Sequence, residues 1–219
     1  MANRAAPLTF LALLLSAAPS VAQRTPIVLH VDGAASRIYV VTHRTGLLSF
    51  LGHEHAILAQ KWTADVCLDE PTHAASRATL TIDARTLDID ADSARALAGL
   101  GGGPSDKQRT QIYAKLHGAK GLATAQYPEI RFETVSVSEA GGGRLLIRGR
   151  MTIKGVTRDF DLPVKAEPHA SGQMHFVGKT SFRQSDFGIR PESIAGVVKV
   201  ADIVDLHVSI VGRPAVARC

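Results

Sequence analysis

Cysteine is scarce in this 219-residue sequence, which contains only Cys67 and Cys219. Two cysteines cannot form a Cys-rich metal site. An even number still allows one disulfide in an exported protein. Against a bridge, Cys67 falls on the outward-facing positions of its strand pattern, and Cys219 is the last residue. Two interpretations stay open: an intramolecular disulfide, or two free thiols that can link a homodimer.

Aromatic residues are also few, since Phe, Trp and Tyr make up only 5% of the chain. This argues against a surface that stacks nucleic-acid bases. The 25 Lys and Arg residues against 20 Asp and Glu give a mildly basic protein. The basic residues are scattered over strands rather than clustered, so the sequence predicts no nucleic-acid partner. Weak peripheral contact with an anionic membrane surface is compatible with this charge.

Enzyme signatures are lacking. The sequence has no Gly-x-Ser-x-Gly, no phosphate-binding loop, no His-Glu-x-x-His and no catalytic Cys context. Asp88, Asp90 and Asp92 alternate, but they lack the Gly and terminal Glu of a calcium loop. We interpret these three aspartates as a solvated strand end. The sequence therefore predicts a protein that is not an enzyme.

Long apolar runs are absent except near the N-terminus, where Leu8 to Leu15 follows the positive Arg4. Ser20-Val21-Ala22 is a small-x-small cleavage site, and the apolar run is too short to span a bilayer. Residues 1–22 are therefore predicted to be a signal peptide, with an uncleaved anchor as the alternative. The mature chain would begin at Gln23, and residues 23–219 would form one periplasmic or secreted domain.

What the chain has in abundance is period-two alternation of apolar and polar residues, which is typical of strands. The pattern predicts strands over residues 27–31 (as an edge strand), 37–43, 58–68, 78–89, 129–137, 145–153, 160–166, 174–182 and 197–211. Most connections are tight, which favours antiparallel pairing. We count about eight strands, whose apolar face must be hidden in a closed barrel or a sandwich. The interior of an eight-stranded barrel can hold one small ligand.

One helix is predicted in the middle of the chain. Ser105 and Asp106 can cap a helix over residues 107–116. The segment before it, residues 94–104, is rich in small residues and glycine, and we predict a flexible excursion there. The fold class is thus all-β with one helical insertion.

Four motifs occur in order along the chain and together carry a resemblance. They are Gly52-His53-Glu54-His55, Gln126-Tyr127-Pro128-Glu129-Ile130-Arg131-Phe132, Gly149-Arg150-Met151-Thr152-Ile153-Lys154-Gly155-Val156-Thr157 and Phe182-Arg183-Gln184-Ser185-Asp186-Phe187-Gly188-Ile189. Over residues 36–211 the chain resembles the YceI-like family of exported bacterial lipocalin-like barrels. It departs from the family pattern in two places. Arg183 lies one residue further from Asp186, and Gly101 to Pro104 replaces a charged segment.

The resemblance implies an antiparallel eight-stranded lipocalin-like β-barrel that encloses a long-chain isoprenoid or fatty amphiphile of the polyisoprenoid or fatty amide type. It implies no cofactor other than a bound lipid. Burying methylene groups is worth about 0.8 kcal/mol each, so a long tail binds without many polar contacts. Inward side chains of suitable type are candidate ligand contacts, with plain barrel core as the alternative for each: Trp62, Phe132, Ile147, Met151, Ile153, Phe160, Leu162, Phe176, Phe182 and Phe187.

The His-Glu-His segment is the candidate polar site. On a strand, His53 and His55 would project to the same face about 7 Å apart. Three roles are open: a hydrogen-bonded cluster at the barrel mouth, contact with a ligand head group, or a metal or haem site. A metal would need a third ligand from His43, Asp186 or His207. Asp186, at the rim turn, is also expected to meet the His-Glu-His segment.

Overall fold

The structure is a computed structural model that describes residues 26–45, 53–70, 72–169, 172–191, 193–194 and 198–219. The predicted signal peptide, the predicted start at Gln23, and Gly52 and Val197 lie outside the described residues. The strands of the described residues are β1 Ile27–Val31, β2 Arg37–Thr45, β3 His55–Ala59, β4 Trp62–Leu68, β5 Arg77–Asp83, β6 Leu87–Ile89, β7 Glu129–Gly141, β8 Arg144–Ile153, β9 Val156–His169, β10 Gln173–Arg183, β11 Ser193–Ile194 and β12 Val198–Arg218.

The strands form a closed antiparallel barrel. Its ring is β1-β4-β5-β7-β8-β9-β10-β12, and pairing of β12 with β1 closes it. β2 continues β1, β4 continues β3 and β6 continues β5 in the same direction after short breaks, and β2 also pairs with β12. The barrel therefore has eight runs of strand, each paired with the next along the chain, as predicted. β1 pairs with β12 and β4, so the prediction of an edge strand was wrong.

The connections define two ends of the barrel. At the upper end, β2, β6, β8 and β10 finish; at the lower end, β4, β7 and β9 finish. The upper β8–β9 hairpin turns at Lys154 and Gly155, both with positive φ, because such a turn matches the twist of the strands. A Cβ on Gly155 would lie 2.7 Å from the Tyr127 ring, so this position also needs glycine for space.

The helical insertion lies at the upper end. The predicted helix is present as α2 (Asp106–His117), and Ser105 and Gln108 form a reciprocal capping box at its start. The prediction of a flexible excursion before it was partly wrong, because α1 (Asp92–Leu97) occupies the first part of that segment. Ala94 packs α1 onto Ala56 and Leu58, on the outside of the barrel wall.

A disulfide joins Cys67 to Cys219 across a sequence separation of 152 residues, with 6.1 Å between the Cα atoms. This decides between the two interpretations of the cysteines, since neither thiol is free to link a dimer. β1 lies between the two strands that the disulfide joins, β4 and β12. The bond therefore fastens the place where the barrel closes, at its lower end. No helix in the described part of the chain is both long enough and apolar enough to cross a bilayer.

Candidate functional site

A cavity of about 530 Å³ occupies the barrel interior. Its volume lies within the range of small-molecule sites, which are mostly apolar with a few placed polar groups. Eight of the predicted contact residues lie on its wall: Phe132, Ile147, Met151, Ile153, Phe160, Leu162, Phe176 and Phe182. The barrel is thus hollow between side chains that also form its core. Their contact with a ligand stays a prediction.

A chain of aromatic rings supports this wall. Phe132 meets Phe160 edge-on with 6.3 Å between ring centroids, and Phe160 meets Phe182 at 5.9 Å. Phe182 then meets Phe187 at 5.6 Å and nearly perpendicular. Such edge-to-face contacts add to the energy of burial. Phe187 is only 1% exposed and does not line the cavity, so it supports Phe182 from the upper end rather than facing a ligand.

Besides Phe187, two predicted site residues lie away from the cavity. Trp62 packs partly against the core but borders a shallow outer depression with Lys61 and Thr63. Asp186 is exposed in the 3₁₀ turn Gln184–Phe187 and does not line the cavity. The expectation that Asp186 meets the His-Glu-His segment was wrong, because the carboxylate beside His55 is that of Asp90.

His55 belongs to a buried network that sequence reasoning missed. Its Nδ1 donates to Oδ2 of Asp90 at 2.6 Å. Oδ1 of Asp90 accepts from the Arg95 guanidinium at 2.7 Å and from the Ala56 amide at 3.2 Å. Arg95 also donates to the carbonyl oxygens of Gly101 and Gly102, at 2.5 Å each. The Gly-rich segment is therefore held by a buried guanidinium.

Asp90 is fully buried, so its interpretation as part of a solvated strand end was wrong. It has φ of 56°, a left-handed conformation that Asp adopts more readily than most residues. Burial acts to raise the pKa of the Asp90 carboxyl, but the hydrogen bond and charge of His55 and the bonds from Arg95 and Ala56 outweigh it. The pKa of Asp90 therefore lies below its ordinary value, and Asp90 is an anion at neutral pH. One feature of the sequence could have indicated this ion pair: Asp90, at the end of a predicted strand, lies five residues before Arg95.

Thr42 is the cross-strand partner of His55 and also lines the cavity. Side chains directly opposite on neighbouring strands have Cβ atoms about 5 Å apart. Thr42 is 7% exposed, and its buried Oγ1 has no hydrogen-bond partner among the described residues. A buried hydroxyl without a partner costs free energy, so Thr42 is a local cost to stability beside the His55 network.

The other candidate metal ligands are engaged elsewhere. His43 lies within 3.1 Å of Glu54 and 3.3 Å of Asp205. His207 stacks on Tyr39 with 4.6 Å between ring centroids, and burial lowers its pKa. In the parts of the chain that the structure describes, no three His, Cys, Asp or Glu side chains are placed to share a metal ion. The described residues therefore provide no third ligand for a metal or haem bound by His53 and His55.

The upper opening of the cavity has a distinctly cationic rim. Arg44 follows Thr42 on the inward face of β2, His53 precedes His55, and Lys115 and Arg190 line the same cavity. α2 lies over this opening, and its cavity-facing residues are Gln108, Gln111, Ile112, Lys115 and Leu116. None of the α2 residues is fully buried, as expected for a helix that covers an opening rather than a packed core.

The helical insertion is fastened to the two upper turns of the barrel. Nζ of Lys154 donates to the carbonyl oxygens of Ala119 and Gly188, at 2.9 and 3.1 Å. The amide of Arg190 donates to the carbonyl of Lys120 at 3.2 Å. These bonds join the insertion, the β8–β9 hairpin and the segment after β10. The cavity opening is therefore framed by three separate parts of the chain.

Comparison with known proteins identifies relatives of this chain. The model of the YceI-like domain matches residues 29–212. A UPF0312 protein of Shewanella oneidensis is 26% identical over 184 residues, covering 79% of this chain and 81% of the relative. One from Shewanella putrefaciens is 28% identical over 182 residues, with the same coverage.

Solved structures agree in fold. BcnA of Burkholderia cenocepacia has a TM-score of 0.62 at 23% identity, covering 83% of this chain and 98% of its own. A polyisoprenoid binding domain from Saccharophagus degradans has a TM-score of 0.55 at 11% identity, covering 87% of this chain and 99% of its own. At these identities the likeness shows the fold. Because the family model spans most of the barrel, the chain belongs to the YceI-like family.

Proposed function

We propose that this protein is an exported lipid-binding protein that holds a long-chain amphiphile, of the polyisoprenoid or fatty amide type, inside its barrel. The chain belongs to the YceI-like family, and a polyisoprenoid binding domain from Saccharophagus degradans with the same fold supports a lipid ligand. The observation that carries the proposal is the apolar cavity of about 530 Å³ enclosed by the strands.

The wall of the cavity suits an alkyl or isoprenoid tail. Each methylene group moved from water into such a wall contributes about 0.8 kcal/mol. The lower half offers Leu29, Val66 and Ile210 as further apolar lining. The affinity for a tail therefore rises with its length. The polar groups at the upper opening are expected to determine which ligands are preferred.

Export is part of the proposal and is supported by two features. The N-terminal segment has the charge, apolar run and small-x-small site of a signal peptide. The Cys67–Cys219 disulfide suits an oxidising compartment, where such bonds form and persist. Peripheral membrane contact, by which a carrier would load its lipid, and homodimer formation stay predictions.

The test is the lipid content of the purified protein. Native mass spectrometry and solvent extraction should release one long-chain amphiphile per chain. Ala64 lines the cavity, and its neighbour Thr63 is exposed on the opposite face of β4. Ala64→Trp should fill the cavity and reduce the recovered lipid about tenfold or more. Thr63→Trp, the matched control, should leave it unchanged.

Two results would contradict the proposal. One is wild-type protein that releases no amphiphile and binds none when it is offered. The other is equal lipid content in the two tryptophan variants, since that would place the lipid on the outer surface. Circular dichroism of both variants separates a filled cavity from a misfolded chain.

A further inference from the structure

We propose that the cavity has a second opening at the lower end of the barrel, beside the start of β5, and that the far end of a long apolar tail leaves the interior there. The inference rests on the proposed function, because the tail belongs to the amphiphile held in the barrel. It adds the route of the tail and the range of tail lengths that the protein accepts. Tails longer than the interior bind with their last carbons outside the wall.

The volume of the cavity limits how much of a tail the interior can hold. A dry apolar cavity of about 150 Å³ holds one benzene molecule, so each carbon needs about 25 Å³. The cavity of about 530 Å³ therefore holds about twenty carbons. A polyisoprenoid tail of about forty carbons needs roughly twice this volume. Such a tail fits the barrel only if part of it lies outside.

Outward-facing residues show where the cavity reaches the surface. Alternation along β5 turns Ala78 and Leu80 inward, onto the cavity wall. Arg77 and Thr79 are exposed on the opposite face, yet both also line the cavity. So does Cys67, which pairs with Arg77 across the two strands. An outward side chain borders the interior only where the wall beside it is interrupted, so the cavity opens next to the first residues of β5.

Strand pairing shows the interruption on the same side of the barrel. The last pair of β5 with β7 toward the lower end is Thr79 with Glu133, whereas β7 continues well beyond it. Just below this pair, the amide of Ala78 donates to the Thr134 hydroxyl at 3.1 Å, so a side chain joins the two strands there. The register of β7 with β8 shifts between Thr134 and Ser136. Such irregularities bend a strand and disrupt its ladder locally. The wall therefore ends early between β5 and the lower half of β7.

The surroundings of this opening suit an apolar chain. Val66, Val137 and Leu145 line the lower part of the cavity. Val135, next to Thr134 on β7, is 66% exposed and is the most exposed large apolar side chain in the described part of the protein. Apolar groups thus continue from the interior to the outer face, and a tail that leaves the barrel keeps apolar contact over its first exposed carbons.

Two polyprenyl alcohols with the same head group test the route on delipidated protein. Geranylgeraniol fits the interior, whereas solanesol has roughly twice the carbons that the interior holds. An equimolar mixture is offered from detergent micelles, and the bound alcohols are measured by native mass spectrometry. The two should bind in amounts within about threefold of each other. Exclusion of solanesol alone overturns the second opening and leaves the lipid-binding function intact. Binding of neither alcohol overturns both.

A variant that narrows the opening separates the two tails. Ala78→Phe places a larger apolar side chain on the cavity wall beside the opening. It should lower bound solanesol about tenfold and bound geranylgeraniol by less than about twofold. Thr63→Phe, exposed on the outer face of β4, is the matched control and should change neither. Solanesol that stays bound to Ala78→Phe, or an equal loss of the two alcohols in folded protein, overturns the route.

A photoreactive tail locates its far end in the wild-type protein, which keeps the test decisive if Ala78→Phe does not fold. The probe is an alcohol of about thirty carbons with a diazirine at the end of the tail, too long for the interior alone. Its crosslinks, mapped by peptide mass spectrometry, should fall at Arg77, Thr79 or Val135. Crosslinks to the interior wall, to α2 or to the upper end instead would mean that the tail does not leave by the lower opening, and the proposal would fail.

Discussion

The two ends of the barrel are built in different ways. The lower end is fastened by the Cys67–Cys219 disulfide and by local contacts, such as the loop in which Asp69 accepts from the Thr72 hydroxyl at 2.8 Å and the Ala75 amide at 3.1 Å. The upper end carries an insertion of two helices, a fully buried carboxylate and a cationic rim. The wall of the lower end is thus fastened by a covalent bond, whereas the upper end is held by non-covalent contacts.

This difference indicates which end admits a ligand. Polar groups that line the cavity are concentrated at the upper end, where α2 lies over the opening without burying any of its residues. Segments with few buried apolar contacts open locally at low cost. An amphiphile would then enter tail first past α2, with its head group left at the rim.

The largest expected effect is at Asp90, in the upper end. Asp90→Ala leaves the 7%-exposed Arg95 without its buried partner, and removing one partner of a buried ion pair costs about 3–5 kcal/mol. Urea unfolding monitored by circular dichroism measures it. The matched change at the lower end, Asp69→Ala, removes only loop hydrogen bonds and should cost less. Equal losses of unfolding free energy in the two variants would show that the Asp90 network stabilises the upper end no more than the Asp69 loop stabilises the lower end.

The next largest effect concerns the lower end. Replacing both Cys67 and Cys219 by alanine should lower the free energy of unfolding by about 2–5 kcal/mol, because the bond closes a long loop in the unfolded chain. Lipid content should change little, since most polar residues that line the cavity lie at the opposite end. Urea midpoints and the lipid recovered by solvent extraction measure the two quantities. A variant that keeps its stability but loses its ligand would contradict this prediction. The lower end would then contribute to ligand binding rather than to stability.

Much of the barrel wall and one helix could be predicted from the sequence. Alternation places Ile147, Met151 and Ile153 on one face of β8, and they line the cavity. The α2 helix follows from a local capping signal at Ser105 and Asp106. These features depend on residues close together in the chain, so a sequence pattern carries them.

Contacts between distant parts of the chain could not be predicted in the same way. The bond between His55 and Asp90 joins residues 35 apart, and neither shows in sequence which partner it will find. α1 is short and made of small residues, and packing of Ala94 against the barrel stabilises it rather than a local signal. The pairing of Cys67 with Cys219 likewise depends on how the barrel closes.

The smallest expected effect is a pH dependence at the upper end, where His43 bridges β2 to Glu54 and Asp205. The hydrogen bond with Glu54 is the main cause that raises the pKa of His43, and burial opposes it. The folded pKa is above the unfolded value of about 6.5, so the bridge stabilises fully below pH 6.5 and is lost as the pH rises through the folded pKa. The hydrogen bond from Ser181 is the main cause that lowers the pKa of Asp205 to about 2, so Asp205 stays ionised in this range.

His43→Gln should therefore cost stability at pH 5.5 and almost none at pH 8.5. The side chain of His43 is 38% exposed, and solvent screening keeps the loss below about 1 kcal/mol. Burial is the main cause that lowers the pKa of His207, and the charge of His43 lowers it further. The difference in urea midpoint between wild type and variant at the two pH values therefore measures the bridge together with this smaller effect on His207. A larger loss at pH 8.5 than at pH 5.5 would mean that His43 stabilises the upper end as a neutral group. The contacts of the upper end that depend on charge would then be those of Asp90 with His55 and Arg95 and those of the cationic rim.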